Sequence, residues 1–134
     1  MTFTQLSIET SIATMTLVEP DYVVQRFREG SKLDRPGFEE NRRVRQELKP
    51  ANPYVMLSIL PEDLDFELNI IATDHFGAAQ EVEGLAALAV VAHGQMAQGV
   101  TAIFFKYFPP KFPARIFSNE EEARDWLNEV RSNR

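Results

Sequence analysis

The chain has 134 residues, of which 44% are hydrophobic and 25% are charged, and it contains no cysteine. This length and composition predict a single globular domain over residues 1–134 that buries a core without disulfide bonds. The absence of cysteine excludes a thiolate nucleophile and a cysteine-ligated zinc site. The formal net charge of −6 argues against nucleic acid as a partner, because phosphate backbones require a basic surface.

Nothing in the sequence predicts export or membrane insertion. Residues 1–10 lack the basic and apolar regions of a signal peptide. The longest apolar run, residues 85–92, is far shorter than the ~20 residues of a membrane span. We therefore expect a cytoplasmic protein without a membrane span, and the compact cysteine-free chain suggests a bacterial source.

The N-terminal part predicts a β-hairpin followed by a helix. Residues 11–18 and 22–27 are rich in β-branched and aromatic side chains, and the turn sequence Glu19-Pro20-Asp21 separates them. A helix is predicted over residues 34–50, with an N-terminal aspartate cap, a proline in the first turn and a proline at its end. Its apolar residues are few, so we expect it to cover one edge of the core and to expose its arginines.

The middle of the chain predicts two buried strands with an ambiguous segment between them. Residues 54–60 and 85–92 are short apolar runs, and the second is apolar on both faces, as parallel strands are. Residues 61–73 fit both helical and strand periodicity, and we expect a helix from about Asp74 onward.

The next segment predicts an amphipathic helix over residues 95–108, ended by Pro109 and Pro110. Its inner stripe should face the core, and Phe105 and Phe108 should remain on the outer face. An alternative is that its aromatic side chains contact a ligand or a membrane. The predicted stripe consists of Met96, Val100, Ile103, Phe104 and Tyr107.

The C-terminal part predicts a short strand and a final helix. Residues 114–117 form the strand, and Ser118 with Glu121 matches a capping box at the start of the helix. The apolar face of this helix consists of Ala123, Trp126, Leu127 and Val130.

Buried strands that alternate with helices predict an α/β fold. We expect a small mixed sheet of four to five strands with an N-terminal hairpin, packed by amphipathic helices.

The order of elements resembles a known fold. Residues 85–127 run as a strand, a small polar junction, an amphipathic helix, a short strand ending in Phe-Ser, and a glutamate-rich helix. This pattern resembles the C-terminal half of the SpoIIAA-like fold, which anti-sigma-factor antagonist (STAS) domains share with uncharacterised bacterial STAS/SEC14-type proteins. The resemblance covers about residues 8–130 and implies a regulatory or binding module rather than an enzyme.

The resemblance does not carry over the phosphorylation switch of the sigma antagonists. Those proteins have a phosphorylatable serine at the start of the helix that follows the central strand. Here Pro61-Glu62-Asp63 follows residues 54–60, and the two carboxylates would repel a phosphate.

Few residues could carry chemistry. Asp74, His75 and His93 follow predicted strands and could share the carboxyl rim of the sheet, where open α/β sheets bind ligands. Such a rim could transfer protons or recognise an anion. Alternatively, Asp74 caps a helix and the histidines are surface residues. We predict no catalytic residue, no metal site and no cofactor, because the spacings of such sites are absent.

Three functions follow, in order of preference. The first is a non-enzymatic regulatory or protein-interaction module that forms a homodimer through a sheet edge or the helix 95–108. The second is a carrier for a small apolar or lipid-like ligand, with Met96, Val100 and Phe104 as the apolar wall and Tyr107 and His93 as polar groups. An enzyme that uses the histidine rim is the least favoured.

Overall fold

A mixed six-stranded sheet forms the centre of the computed structural model, which describes residues 3–70, 72 and 84–133. Within these residues a short two-stranded sheet lies apart from the main sheet. The strands are β1 (Leu6–Glu9), β2 (Ala13–Glu19), β3 (Tyr22–Phe27), β4 (Lys32–Leu33), β5 (Tyr54–Ile59), β6 (Asp65–Phe66), β7 (Leu85–Val91) and β8 (Ala114–Phe117). The helices are α1 (Arg35–Glu47), α2 (Gly94–Tyr107) and α3 (Glu120–Ser132), with a single 3-10 turn at Leu68–Ile70.

The main sheet has the order β1-β2-β3-β5-β7-β8. The first three strands pair antiparallel, and β3, β5, β7 and β8 pair in parallel. Parallel neighbours need long crossovers, and α1 and α2 supply two of them. The predicted mixed sheet and N-terminal hairpin are confirmed.

The predicted number of four to five strands is too low. The additional edge strand β1 is short and mostly exposed, so it lacks the apolar pattern of a buried strand. It is held by its ladder with β2, where the hydroxyls of Ser7 and Thr16 lie 2.8 Å apart.

The two faces of the sheet are covered unequally. Helices α1 and α2 cover one face, where sheet side chains such as Met15, Met56 and Leu88 are buried. Helix α3 covers the other face and packs on Leu57 and Ala89. Every residue of β5 is buried, because this central strand has a packed layer on each side.

Helix α1 begins at the predicted aspartate cap and ends at Glu47, three residues before Pro50, and one of its arginines is not exposed as predicted. The Asp34 carboxylate accepts a hydrogen bond of 2.8 Å from the amide of Gly37. The side chain of Arg45 is buried, and its Nη1 lies 4.0 Å from the sulfur of Met56. The prediction that the arginines are exposed is therefore wrong for Arg45. A helix with few apolar residues buries the methylene stem of an arginine to complete its inner face.

Helix α3 has the predicted apolar face, with Ala123 and Leu127 buried against the sheet. Its N-cap is Asn119 rather than Ser118, and the Asn119 side chain accepts a hydrogen bond of 2.9 Å from the amide of Glu122. Both residues are good caps, so the sequence pattern could not distinguish two starts one residue apart.

Ion pairs attach both ends of α3 to the hairpin. At its start, Glu120 accepts from Arg26 at 3.0 Å and from Arg124 at 2.8 Å. At its end, Arg131 donates to both carboxylate oxygens of Asp21, at 2.8 and 3.2 Å. Burial would raise the pKa of Glu120, but the hydrogen bonds and charges of Arg124 and Arg26 outweigh it, and the pKa lies below its ordinary value of 4.5.

We expect Glu120→Gln to destabilise the fold by about 0.5 kcal/mol at neutral pH, the scale of a partly exposed ion pair. A carboxylate with a lowered folded pKa stabilises above its unfolded value, and this contribution is lost as the pH falls through the folded value. The difference between wild type and variant should therefore shrink toward about pH 3. Urea unfolding at the two pH values measures it.

Glu121→Gln is the matched control, because it removes an exposed charge from the same helix turn without an ion pair to Arg26 or Arg124. An equal effect of both variants at both pH values would show that the Glu120 ion pairs do not stabilise the protein.

Candidate functional site

A cavity of about 80 Å³ lies between helix α2 and the sheet, on the face that α1 also covers. Its wall is largely aromatic and aliphatic, with Phe27, Phe38, Leu60, Leu64 and Phe104 among its residues. Phe27 is the last residue of β3 and Leu60 follows β5. The cavity therefore lies at the carboxyl ends of the parallel strands, where α/β sheets bind ligands.

Helix α2 reaches the cavity with a different face from the one predicted. Its buried residues are Ala97, Thr101 and Phe104, and Phe105 packs against the same core. The ring of Phe108 contacts that of Phe104, with their centroids 5.6 Å apart. The prediction that Phe105 and Phe108 remain on the outer face is wrong.

The predicted inner stripe is correspondingly wrong for three of its residues. Met96, Ile103 and Tyr107 are 60%, 45% and 70% exposed. Val100 is half-buried and Phe104 is buried, and both line the cavity. The buried residues repeat the predicted spacing one residue later, and small side chains such as Ala97 let the helix approach the sheet closely.

The three exposed residues and the half-buried Val100 form a surface feature that we call the outer stripe, consisting of Met96, Val100, Ile103 and Tyr107. Steps of four, three and four residues separate them, so they lie along one side of α2. No charged residue occurs from Gly94 to Phe105. Helix α2 thus presents an uncharged apolar strip outward and a different apolar face inward.

Two buried polar side chains interrupt the cavity floor. Gln25 and Ser58 are only 2% and 4% exposed. They are register partners on neighbouring strands β3 and β5, and Val90 of β7 is the next partner along the row. The Gln25 amide donates a hydrogen bond of 2.9 Å to the Ser58 hydroxyl.

These side chains end a chain of hydrogen bonds that we call the polar relay, consisting of Thr10, Asn41, Gln25 and Ser58. The Thr10 hydroxyl donates to the Asn41 side-chain oxygen at 2.6 Å. The Asn41 amide donates to the Gln25 side-chain oxygen at 3.2 Å. The relay connects the loop before β2, helix α1 and two central strands.

The polar relay was not predicted from the sequence. The available signal was a polar residue within an otherwise apolar strand, as in Gln25 of residues 22–27 and Ser58 of residues 54–60. A polar residue that replaces an apolar one on a buried face must find a partner. The identity of that partner depends on strand register, which the sequence pattern does not contain.

Of the predicted rim residues, His93 lies among the residues that the structure describes. His93 is the N-cap residue of α2, and its side chain makes no capping hydrogen bond. The next residue, Gly94, has φ of +83°, and no atom lies within 4 Å of a Cβ placed there. Glycine is favoured at this junction by its backbone conformation rather than by lack of space. Asp74 and His75 lie outside the described residues, so the shared rim stays a prediction.

In residues 3–70, 72 and 84–133, no group of three or more His, Cys, Asp or Glu residues is arranged to hold a metal ion. In that same part of the chain, no helix is both long and apolar enough to cross a membrane.

A family profile and a solved structure match the chain over this sheet and its helices. The profile of a domain of unknown function, DUF7793, matches residues 23–131. The chain belongs to the DUF7793 family. The matched residues run from β3 to the end of α3, so the family profile includes the cavity, three of the four relay residues and helix α2. No curated protein matches the sequence of this DUF7793 protein.

The solved structure of another protein has the same fold as this DUF7793 protein. An uncharacterized protein from the DUF3478 family of Shewanella loihica PV-4, with a SpoIIAA-like fold, has a TM-score of 0.57 and 17% sequence identity to this chain. The similarity covers 91% of this chain and 98% of the Shewanella chain. At this identity the likeness concerns the fold alone, and the predicted SpoIIAA-like fold is confirmed.

We expect Asn41→Ala to destabilise the protein by about 2–3 kcal/mol, because it leaves the Gln25 side-chain carbonyl buried without its partner and the Thr10 hydroxyl with only the Ala13 carbonyl at 3.2 Å. Denaturant unfolding followed by circular dichroism measures this change.

Gln46→Ala is the control for Asn41→Ala, since Gln46 is an exposed residue of the same helix. Its effect should stay within about 0.5 kcal/mol. If the two variants were equally stable, the relay would not contribute to the fold.

Proposed function

We propose that this DUF7793 protein is a non-enzymatic regulatory module that pairs with a second copy of itself through the outer stripe of α2. The exposure of Met96, Ile103 and Tyr107 on one side of a regular helix carries this proposal. Large apolar side chains that line up on a surface are typical of interaction sites, whereas scattered ones are not.

The spacing of the outer stripe favours another helix as the partner. Steps of four, three and four residues are those of the a and d positions in a helix pair. In a twofold-symmetric antiparallel pair, the Met96 end of one helix lies against the Tyr107 end of the other. The central residues Val100 and Ile103 then meet across the axis, so the stripe is complementary to itself.

Charge favours a second copy at this surface. The chain has a net charge of −6, so two copies repel each other over most approaches. Residues 94–105 are uncharged, and the small residue Gly99 adjoins the stripe. Helix α2 has 14 residues and is therefore only about 21 Å long. We expect a weak dimer with a dissociation constant in the micromolar range.

Ile103→Glu should abolish this dimer, because it buries two like charges near the centre of the proposed interface. Sedimentation velocity from low to high micromolar protein measures the shift from monomer to dimer. The wild type should gain mass with concentration, and the variant should remain a monomer.

Ala102→Glu is the matched control, since it adds the same charge to the neighbouring exposed position, about 100° around the helix. It should dimerise as the wild type does. A wild type that stays monomeric at high micromolar concentration would contradict the proposal, and so would an Ile103→Glu variant that still dimerises.

A second function, binding of a small apolar molecule, is favoured by the cavity. Its volume of about 80 Å³ is roughly half that of an engineered cavity of ~150 Å³ that accepts benzene or xenon. Its lining is mostly apolar with a few polar groups, as is usual for small-molecule sites. The lining includes Val100 and Phe104, two residues of the predicted apolar wall.

Dissolved xenon is a size-matched probe of this cavity. We expect it to shift the backbone amide resonances of the lining residues in NMR spectra. Thr101→Leu should suppress these shifts, because the added carbon fills the space, whereas Thr101→Val keeps the shape of the side chain and should preserve them. Shifts spread evenly over the protein, or unchanged in Thr101→Leu, would contradict a ligand site here.

A further inference from the structure

The polar relay has a fixed direction, which begins at Thr10. The Thr10 hydroxyl oxygen accepts hydrogen bonds from the amides of Ile12 at 3.3 Å and Ala13 at 3.0 Å. A hydroxyl oxygen has two lone pairs, and both are occupied by these bonds. The Thr10 hydroxyl therefore meets Asn41 only as a donor, at 2.6 Å, with the Ala13 carbonyl as a longer second acceptor at 3.2 Å, so the Asn41 atom that faces it is the oxygen.

This constraint propagates along the relay. With its oxygen on Thr10, Asn41 presents its NH₂ group to Gln25, and the facing atom of Gln25 must be an oxygen. Gln25 then presents its own NH₂ group to Ser58, whose hydroxyl oxygen accepts. Two backbone amides in the loop before β2 thus determine the orientation of both side-chain amides in the core.

At the cavity end of the relay the Ser58 hydroxyl has a proton to donate, in addition to the second amide proton that Asn41 and Gln25 each carry. The Ser58 oxygen accepts from Gln25, and among the residues that the structure describes no acceptor receives the Ser58 hydroxyl proton. Ser58 lines the cavity. The other lining hydroxyl, that of Thr101, differs because it already donates to the carbonyl of Ala97 at 2.7 Å.

The remainder of the cavity restricts which molecules can satisfy this donor. The described lining residues include no charged side chain, so they offer an ionic ligand no charge to compensate for its lost hydration. A hydrocarbon could occupy the site but would not accept the Ser58 proton, so it would forgo a hydrogen bond. A neutral molecule with one accepting oxygen avoids both losses.

We infer that the cavity binds a neutral, mainly apolar molecule through one carbonyl or similar hydrogen-bond-accepting oxygen, which receives the Ser58 hydroxyl proton. About 80 Å³ holds only a few heavy atoms, so the oxygen-bearing end enters and a longer ligand continues toward solvent. This inference rests on the second function proposed above, since it requires the cavity to be a ligand site.

Cyclobutanone and methylenecyclobutane provide a matched pair of probes. They have the same shape, and the carbonyl oxygen of the first is replaced by a methylene group in the second. Titrations followed by amide NMR shifts give the affinity of each probe for wild type, Ser58→Ala and Thr101→Val. Because the two probes share their shape and size, the ratio of their affinities for one protein reports the contribution of the carbonyl oxygen.

We expect Ser58→Ala to lower the ketone-to-alkene affinity ratio about fivefold, the scale of one hydrogen bond. Thr101→Val should leave the ratio unchanged, because the Thr101 hydroxyl already has an acceptor. An unchanged ratio in Ser58→Ala, with both probes still bound, would overturn the inference but not the ligand site. Failure of both probes and of xenon to bind the wild type would overturn both.

A second measurement needs no variant and applies even where Ser58→Ala does not fold. The carbonyl carbon of ¹³C-labelled cyclobutanone resonates at a position that depends on hydrogen bonding to its oxygen. In the wild-type complex it should lie near its position in an alcohol. A bound resonance near the position in a hydrocarbon solvent would overturn the inference.

Discussion

The burial of β5 and β7 on both faces is the constraint on which the rest of the structure depends. A strand that is apolar on both sides needs a packed layer above and below it. The crossovers that parallel pairing requires place α1 and α2 on one side. That leaves α3 to cover the other side, where ion pairs to Asp21 and Arg26 fix both of its ends.

The layer formed by α1 and α2 contains both the polar relay and the cavity. Gln25 and Ser58 replace two apolar residues in a row that otherwise includes Met15 and Val90. Each would cost free energy in the core if it were unpaired. The relay satisfies them by reaching through Asn41 of α1 to Thr10. Because the relay is directional, its last donor is presented to the cavity.

Helix α2 connects the two proposed functions. Its inner face lines the cavity and its outer stripe is exposed, and Val100 belongs to both. The same helix that would contact a second copy therefore also covers the site of the small molecule. The SpoIIAA-like fold supplies the frame for both features, whereas the functions depend on particular side chains of this chain.

Much of the secondary structure could be predicted because it depends on local chemistry. The Asp34 cap and Pro36 mark the start of α1, and the apolar runs mark β5 and β7. The edge strand β1 escaped prediction, since a strand paired on one side with mostly exposed residues has no apolar signature. For α2, two overlapping apolar stripes one residue apart have the same helical spacing, and their hydrophobicity favoured the wrong one.

The sequence by itself determined the α/β class, the order of the three helices and of the strands other than β1, β4 and β6, and the apolar face of α3. Periodicity, capping residues and prolines act within a few residues of the chain, so they can be read locally. Only the tertiary structure decided which side of α2 is buried, that Arg45 lies inside, and that Gln25 stands beside Ser58. These features depend on strand register and on the fit of small residues such as Ala97 against the sheet, and both involve contacts between distant parts of the chain.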